Sequence, residues 1–188
     1  MPSKIIRIVL IAAMLVGLII LWSKSGEWRN AAFEQASKPD PKFVASSVQV
    51  ISALQTTDLK GKPAKLPGAG RFRLINYWAT WCGPCLMEMP LLNEFAKSQN
   101  NNQILVVGIA LDEMADVNKY LKENPLQYPQ LLEKAGPNDS STQLGNGSGV
   151  IPYSILIDPN GRLIRQHSGP FENEEQLQNW AQIKPEKP

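Results

Sequence analysis

Histidine occurs once in this chain and cysteine twice. That scarcity removes whole classes of chemistry. A closed zinc centre takes four nitrogen or sulfur ligands, and Cys82, Cys85 and a distant His167 do not supply them, so no metal is expected. A structural disulfide framework is excluded as well. A cross-link stabilises most by closing a long loop, and two cysteines three positions apart close almost none. Charge of one sign is also lacking once the chain is divided. Residues 1–25 hold Lys4, Arg7 and Lys24 and no acid, while the other 16 Lys and Arg face 17 Asp and Glu. The basic pI of about 8.5 therefore belongs to the N-terminus, and the remainder has no cationic surplus of the kind that binds nucleic acid. Internal repeats are absent, and only one long apolar run exists.

That run is Ile8–Trp22, 15 residues without a charge. Ile5, Ile6 and a snorkelling Arg7 extend it to 18, the short end of what spans a bilayer. Lys4 and Arg7 precede it, which favours an N-terminus inside and the rest outside. Trp22 suits an interfacial anchor. The alternative is a cleaved signal peptide, for which Ser23 and Ser25 offer a weak small-x-small site. Either way the rest of the chain is expected outside the reducing cytosol, where a cysteine pair can cycle through a disulfide. The reading is an N-terminal membrane anchor (or signal peptide) over 1–25 and a linker over 26–42 that ends in Lys38-Pro39-Asp40-Pro41-Lys42. A folded domain over 43–188 follows, held at the cytoplasmic membrane on its periplasmic side.

Within the domain, Val48–Thr57 followed by Gly61-Lys62-Pro63 predicts a β-hairpin. Arg71–Trp78 is a β-branched and aromatic strand running straight to the cysteines. Cys85–Lys97 has helical spacing through Met89, Leu92 and Phe95. Ile104–Ala110 is a continuous apolar run, as in a strand buried on both faces, and Met114–Lys122 reads as a helix. Residues 134–149, rich in Gly, Ser and Asn, read mostly as loop. Tyr153–Asp158 and Arg162–His167 flank Pro159-Asn160-Gly161, a hairpin signal. Asn173–Ile183 reads as a final helix capped by Asn173. Strands alternating with helices and ending in a hairpin imply an α/β class: a central mixed β-sheet flanked by helices, with an N-terminal β-hairpin extension.

The segment Leu74-Ile75-Asn76-Tyr77-Trp78-Ala79-Thr80-Trp81-Cys82-Gly83-Pro84-Cys85 puts Cys82 where a buried strand ends and a helix begins. Free amide N–H groups and the positive end of the helix dipole stabilise a thiolate there, and the thiolate is the nucleophile of disulfide exchange. Pro84 suits the first helical turn. Cys85, one turn further in, is expected to be shielded and to act as the resolving thiol. Trp81 gives the site a flat apolar shoulder for an extended substrate. Tyr77 and Trp78 are read as packing residues, and His167 as a surface or half-buried residue rather than a base or ligand. Met87, Met89 and Met114 are read as core filler rather than copper ligands.

Trp78–Cys85 resembles the active-site segment of thioredoxin-fold proteins, and most closely that of the exported TlpA/ResA type of thiol–disulfide oxidoreductase. Pro90 matches that fold's helix-kinking proline. Val150-Ile151-Pro152 matches its cis-proline loop, where the exposed backbone of Ile151 can pair with an extended substrate. Asn76 stands where cytosolic thioredoxins carry a buried Asp. Glu88, three residues past Cys85, matches the Glu of the TlpA/ResA group. The resemblance makes it a candidate proton acceptor for the Cys85 thiol, against the alternative of an ordinary solvated helix residue. What the resemblance implies is a reductase of disulfides in exported client proteins, apocytochrome c or copper-site proteins among them, recharged by a membrane thiol-electron donor. No cofactor beyond the Cys82–Cys85 couple is expected. The same fold run as an oxidant, and a copper-delivery protein, are the alternatives. Copper carriers of this fold have C-x-x-x-C and a His near the cis-proline, whereas Ile151-Pro152 stand here. The segment Gly136–Gly149 is expected at the rim of the site, as a determinant of substrate choice or as a plain surface insertion.

Overall fold

The computed structural model describes residues 51–99 and 103–183. The expected anchor, the linker and the domain start at Phe43 lie outside the described residues. Among the described residues no helix is long and apolar enough to cross a membrane.

The elements follow in the order β1 (Thr56–Thr57), β2 (Pro63–Ala64), β3 (Phe72–Trp78), α1 (Gly83–Ser98), β4 (Ile104–Leu111), α2 (Met114–Glu123), β5 (Gln130–Glu133), α3 (Ser140–Gln143), β6 (Tyr153–Ile157), β7 (Leu163–Ser168) and α4 (Glu174–Ala181). One mixed sheet has the order β2-β1-β5-β4-β3-β6-β7. β3, β4 and β5 run parallel, and the strands outside them pair antiparallel. This is the mixed sheet with flanking helices that the sequence implies.

The continuous apolar runs of β3 and β4 arise because both sheet faces are covered. Trp78, Ala110 and Leu132 on one face pack with Cys85 and Met89 of α1 and Val117 of α2. Ile75, Tyr77, Val107, Ile109 and Leu131 on the other pack with Ile51, Leu144 and Ile155. Alternation along each strand sends successive residues to opposite layers. The active-site helix is thereby placed over the face that carries Asn76 and Trp78.

Three elements differ from the sequence reading. The first hairpin is shorter than expected, because Ile51 and Ser52 are helical and only Thr56–Thr57 pairs with Pro63–Ala64. Its turn is set by Asp58, whose carboxylate accepts the N–H groups of Lys60 and Lys62 at 2.8 and 2.9 Å, with Gly61 at φ +76°. Asp158 repeats this turn before β7, accepting from Asn160 and Arg162 at 2.8 Å each. Strand β5 was not expected. It has two apolar residues, Leu131 and Leu132, one for each core layer, too few to register as a period. The final helix ends at Ala181 rather than Ile183, while Asn173 caps it as expected, its side chain accepting from Gln176 N–H at 2.9 Å.

Gly108 on β4 lies opposite Gln130 on β5. A side chain at Gly108 would overlap the Gln130 amide, whose Oε1 accepts the indole N–H of buried Trp78 at 3.0 Å.

Candidate active site

β3, a central strand, ends at Trp78, and the next residues are pinned before the helix starts. Asp112, at the end of β4, accepts both the N–H and the hydroxyl of Thr80, at 2.7 and 2.5 Å. Cys82 is the N-cap of α1. Its sulfur receives the N–H of Cys85 at 3.2 Å, and Pro84 occupies the first turn. An amide donor aimed at the sulfur from a helix start is the arrangement that stabilises a thiolate. The two cysteines form a disulfide. Cys82 is 5% exposed and Cys85 1%, so the sulfur nearer the surface is that of Cys82. Pro90 lies inside α1, where it gives up one helical N–H.

Two walls flank the pair. The outer wall holds Trp81, 68% exposed, and the Ile151 carbonyl, 3.6 Å from the Cys82 sulfur. The Ile151–Pro152 peptide is cis, and the Pro152 carbonyl accepts Gly169 N–H at 2.9 Å.

The inner wall is Glu88. It is 2% exposed, on the buried face of α1 with Cys85 and Met89, so it is not a solvated helix residue. Its Oε1 accepts Asn76 Nδ2–H at 2.7 Å and its Oε2 accepts Phe171 N–H at 2.9 Å. Asn76 also donates to Ser154 Oγ at 3.1 Å, its partner across the β3–β6 register. Burial pushes the Glu88 carboxyl up to about 7, against the opposing pull of the Phe171 and Asn76 hydrogen bonds. A carboxyl poised there can exchange a proton at neutral pH.

His167 is stacked on Phe171 with ring centroids 4.2 Å apart, and Phe171 meets Trp180 at 5.2 Å. Burial lowers its proton affinity, partly offset by the Pro170 carbonyl. It is a packed, half-buried ring. Tyr77 and Trp78 are fully buried, and Tyr77 OH meets Ser140 Oγ at 2.9 Å. The methionines divide: Met89 is core, but Met87 is 81% exposed and Met114 43%. The core-filler reading fails for these two because helical spacing alone does not say which face a residue takes. Among the described residues no group of three or more His, Cys, Asp or Glu side chains is placed to hold a metal.

The segment read as loop is more ordered than its composition suggests. Asp139 caps α3, accepting from Thr142 N–H at 3.1 Å, and Ser140, Ser141, Leu144 and Asn146 are buried. Ser140 donates its N–H at 2.8 Å to Glu133, and its hydroxyl to the same carboxylate. Asn146 grips Val150 from both sides, donating to its carbonyl at 3.0 Å and accepting its N–H at 3.1 Å. Sequence reasoning missed Asn146, Asp112 and the Phe171 N–H. The first two are polar residues whose partners lie at positions no period reveals, and the third is a backbone group with no signature.

The redoxin family model matches residues 35–182. The chain is 28% identical over 182 residues to thiol-disulfide oxidoreductase ResA of Bacillus thuringiensis subsp. konkukian (strain 97-27), covering 95% of each. It is 25% identical over 180 residues to sporulation thiol-disulfide oxidoreductase A of Bacillus subtilis (strain 168), covering 94% of this chain and 97% of that one. Among solved structures, the thioredoxin-related protein from Neisseria meningitidis serogroup B superposes with a TM-score of 0.59 at 30% identity, over 68% of this chain and 96% of that one.

Proposed function

The chain belongs to the redoxin family and is a thiol–disulfide oxidoreductase of the ResA kind, and from that premise we propose that it works outside the cytosol as a reductase of disulfides in client proteins. In the forward cycle the Cys82 thiolate attacks one sulfur of a client disulfide, forming a Cys82–client bond and releasing the other client sulfur as a thiolate. Cys85 then gives up its proton and attacks the Cys82 sulfur. The second client thiolate leaves, the Cys82–Cys85 disulfide forms, and two electrons have passed to the client. Glu88 takes the Cys85 proton in this scheme. No cofactor is needed beyond the cysteine couple, but each turnover leaves the pair oxidised, so a thiol donor on the membrane must recharge it. The apolar run Ile8–Trp22 supports membrane attachment with the domain on the periplasmic side. Apocytochrome c and copper-site proteins are the clients the family resemblance favours.

The observation that carries the direction is the buried Glu88 carboxyl, held near neutrality one helical turn beyond Cys85. A strong oxidant owes its potential to a stabilised reduced thiolate, and a carboxylate beside the thiols works against that. Equilibration with a glutathione or dithiothreitol redox buffer gives the potential directly. A value close to about −270 mV supports the reductase, and one near about −120 mV sinks it in favour of an oxidant.

A further inference from the structure

The end of the sheet remote from the cysteines holds a second pocket, of about 270 Å³. That is just under the roughly 300 Å³ at which ordinary ligand sites begin, so it suits a small ion with its water. Arg73 of β3 lines it, with Ile51, Leu54, Lys65, Leu66 and Asn160 around it. Arg73 lies five residues before Trp78, roughly 17 Å along the strand. By alternation it shares a sheet face with Ile75 and Tyr77, in the apolar layer completed by Ile51, Ile155 and Ile157. A Cβ on Gly68 would lie 3.5 Å from the Arg73 Cδ, so the turn before β3 covers the stem. The residue is 6% exposed. Its Nε is buried without a hydrogen-bond partner, and among the described residues no carboxylate forms an ion pair with it. Asp158 is the acid whose charge reaches it, and burial outweighs that attraction in lowering its proton affinity. The Asp158 Oδ1 is already engaged by the N–H groups of Asn160 and Arg162. A guanidinium stays charged in any protein surroundings, and a buried charge is costly unless it is paired. Here the pocket supplies the space for the missing partner, and Lys65 adds a second cation to its lining.

We propose that this pocket binds a phosphate group, carried by a phospholipid headgroup or by a free phosphate ester. The Arg73 fork takes two oxygens side by side, and Lys65, from another wall, supplies a point charge for a third. A carboxylate has only two oxygens and leaves one of the two cations without a partner. The site is at the opposite end of β3 from Cys82, so an occupant leaves the reacting sulfur unobstructed. The proposal therefore stands independently of the redox reading, and its test reads binding rather than turnover.

The full chain in neutral detergent is titrated calorimetrically with inorganic phosphate, glycerol phosphate, glycerophosphoglycerol (a lipid headgroup without its chains) and acetate. Sodium chloride holds the ionic strength constant, so that screening is the same throughout. At least one phosphate should bind at a single site, about tenfold or more tightly than acetate. A tighter midpoint for glycerophosphoglycerol assigns the phosphate to a headgroup, and a tighter one for glycerol phosphate assigns it to a free ester. Arg73→Met keeps the buried stem and removes the charge. It should weaken phosphate binding by about tenfold or more, the loss of a charge-assisted pair, with reduction of hydroxyethyl disulfide within about twofold of the parent. Its melting temperature without phosphate should equal or exceed the parent's, because an uncompensated buried charge has been removed. Lys65→Ala, at an exposed position, leaves the core untouched and should weaken the same binding several-fold. Absence of saturable phosphate binding by the parent, acetate binding as tight as phosphate, or equal phosphate binding by Arg73→Met overturns the site.

Discussion

The two sides of the Cys82–Cys85 bond are built from opposite materials. Behind it, Glu88, Asn76 and Ser154 form a polar chain sealed between helix and sheet, with every member at or below 2% exposure. In front, Trp81 and Val150 are open to solvent and Ile151 offers backbone. The inner side has a titratable group and no access, whereas the outer side has access and no free charge. Proton handling and recognition are therefore separable, and each can be disabled without the other.

The strongest test removes the sulfurs. Cys82→Ser should abolish turnover of every disulfide, whereas Cys85→Ser should accumulate a covalent Cys82–client adduct visible by non-reducing electrophoresis or intact mass. Adducts in equal yield from both variants would mean that the order of attack is not set by helix position.

Next in size is Glu88→Gln. Loss of a positioned proton acceptor should slow turnover roughly tenfold to a hundredfold at neutral pH and remove a limb near pH 7 from the rate profile. The small-disulfide and client rates should fall together, because the outer wall is intact. Stability should respond in a defined sense. Between pH 4.5, the ordinary carboxyl value, and about pH 7 the folded chain keeps a proton on Glu88 that the unfolded chain has released. Stability of the oxidised protein should therefore fall as pH rises through that window, by on the order of 3 kcal/mol, and level off above it. In Glu88→Gln the fall should vanish. Denaturant titrations at pH 4.5 and 8 decide, and a parallel fall in both proteins would put the proton elsewhere.

Trp81→Ala should do the reverse. With the indole 68% exposed, the melting temperature should barely move, while client reduction slows several-fold and the small disulfide is spared. A client rate equal to the parent's would remove Trp81 from recognition. Asn146→Ala falls between the two sides, because the amide serves the outer wall from a buried place. Its loss leaves the Val150 N–H and carbonyl to water, since Val150 is open to solvent, at about 0.5–1.5 kcal/mol for each bond lost by chemical denaturation, with a smaller drop in client rate than Trp81→Ala.

The sequence was most legible where periodicity and punctuation are strong. The run from Arg71 to Cys85 marks strand, helix start and sulfur position together, because a buried strand must be apolar and a helix start tolerates proline. The turns at Gly61-Lys62-Pro63 and Pro159-Asn160-Gly161 and the Asn173 cap could be read from local chemistry. Less legible was whatever depends on which layer a residue meets. Glu88 reads as solvated or buried with equal ease until α1 is laid on the sheet. Strand β5 hides because four residues cannot show a period. The Gly136–Gly149 segment looked structureless because Ser and Asn usually face water. Here Ser140, Ser141 and Asn146 turn inward and add hydrogen bonds to the single apolar anchor Leu144.

Gly108 ties three neighbouring strands into one heritable unit. The room its missing side chain leaves on β4 is filled by Gln130 from β5, and that amide in turn serves the indole of Trp78 on β3. No one of the three can drift alone. A larger residue at 108 evicts Gln130 and leaves a buried indole donor unpaired, while a smaller residue at 130 abandons both the space and the donor. Among diverging relatives these positions should change in concert or not at all, with glycine at 108 wherever 78 and 130 carry Trp and Gln. Substitutions there should appear as coupled pairs and triples across β3, β4 and β5, a covariation signature running through the sheet directly beneath the redox site.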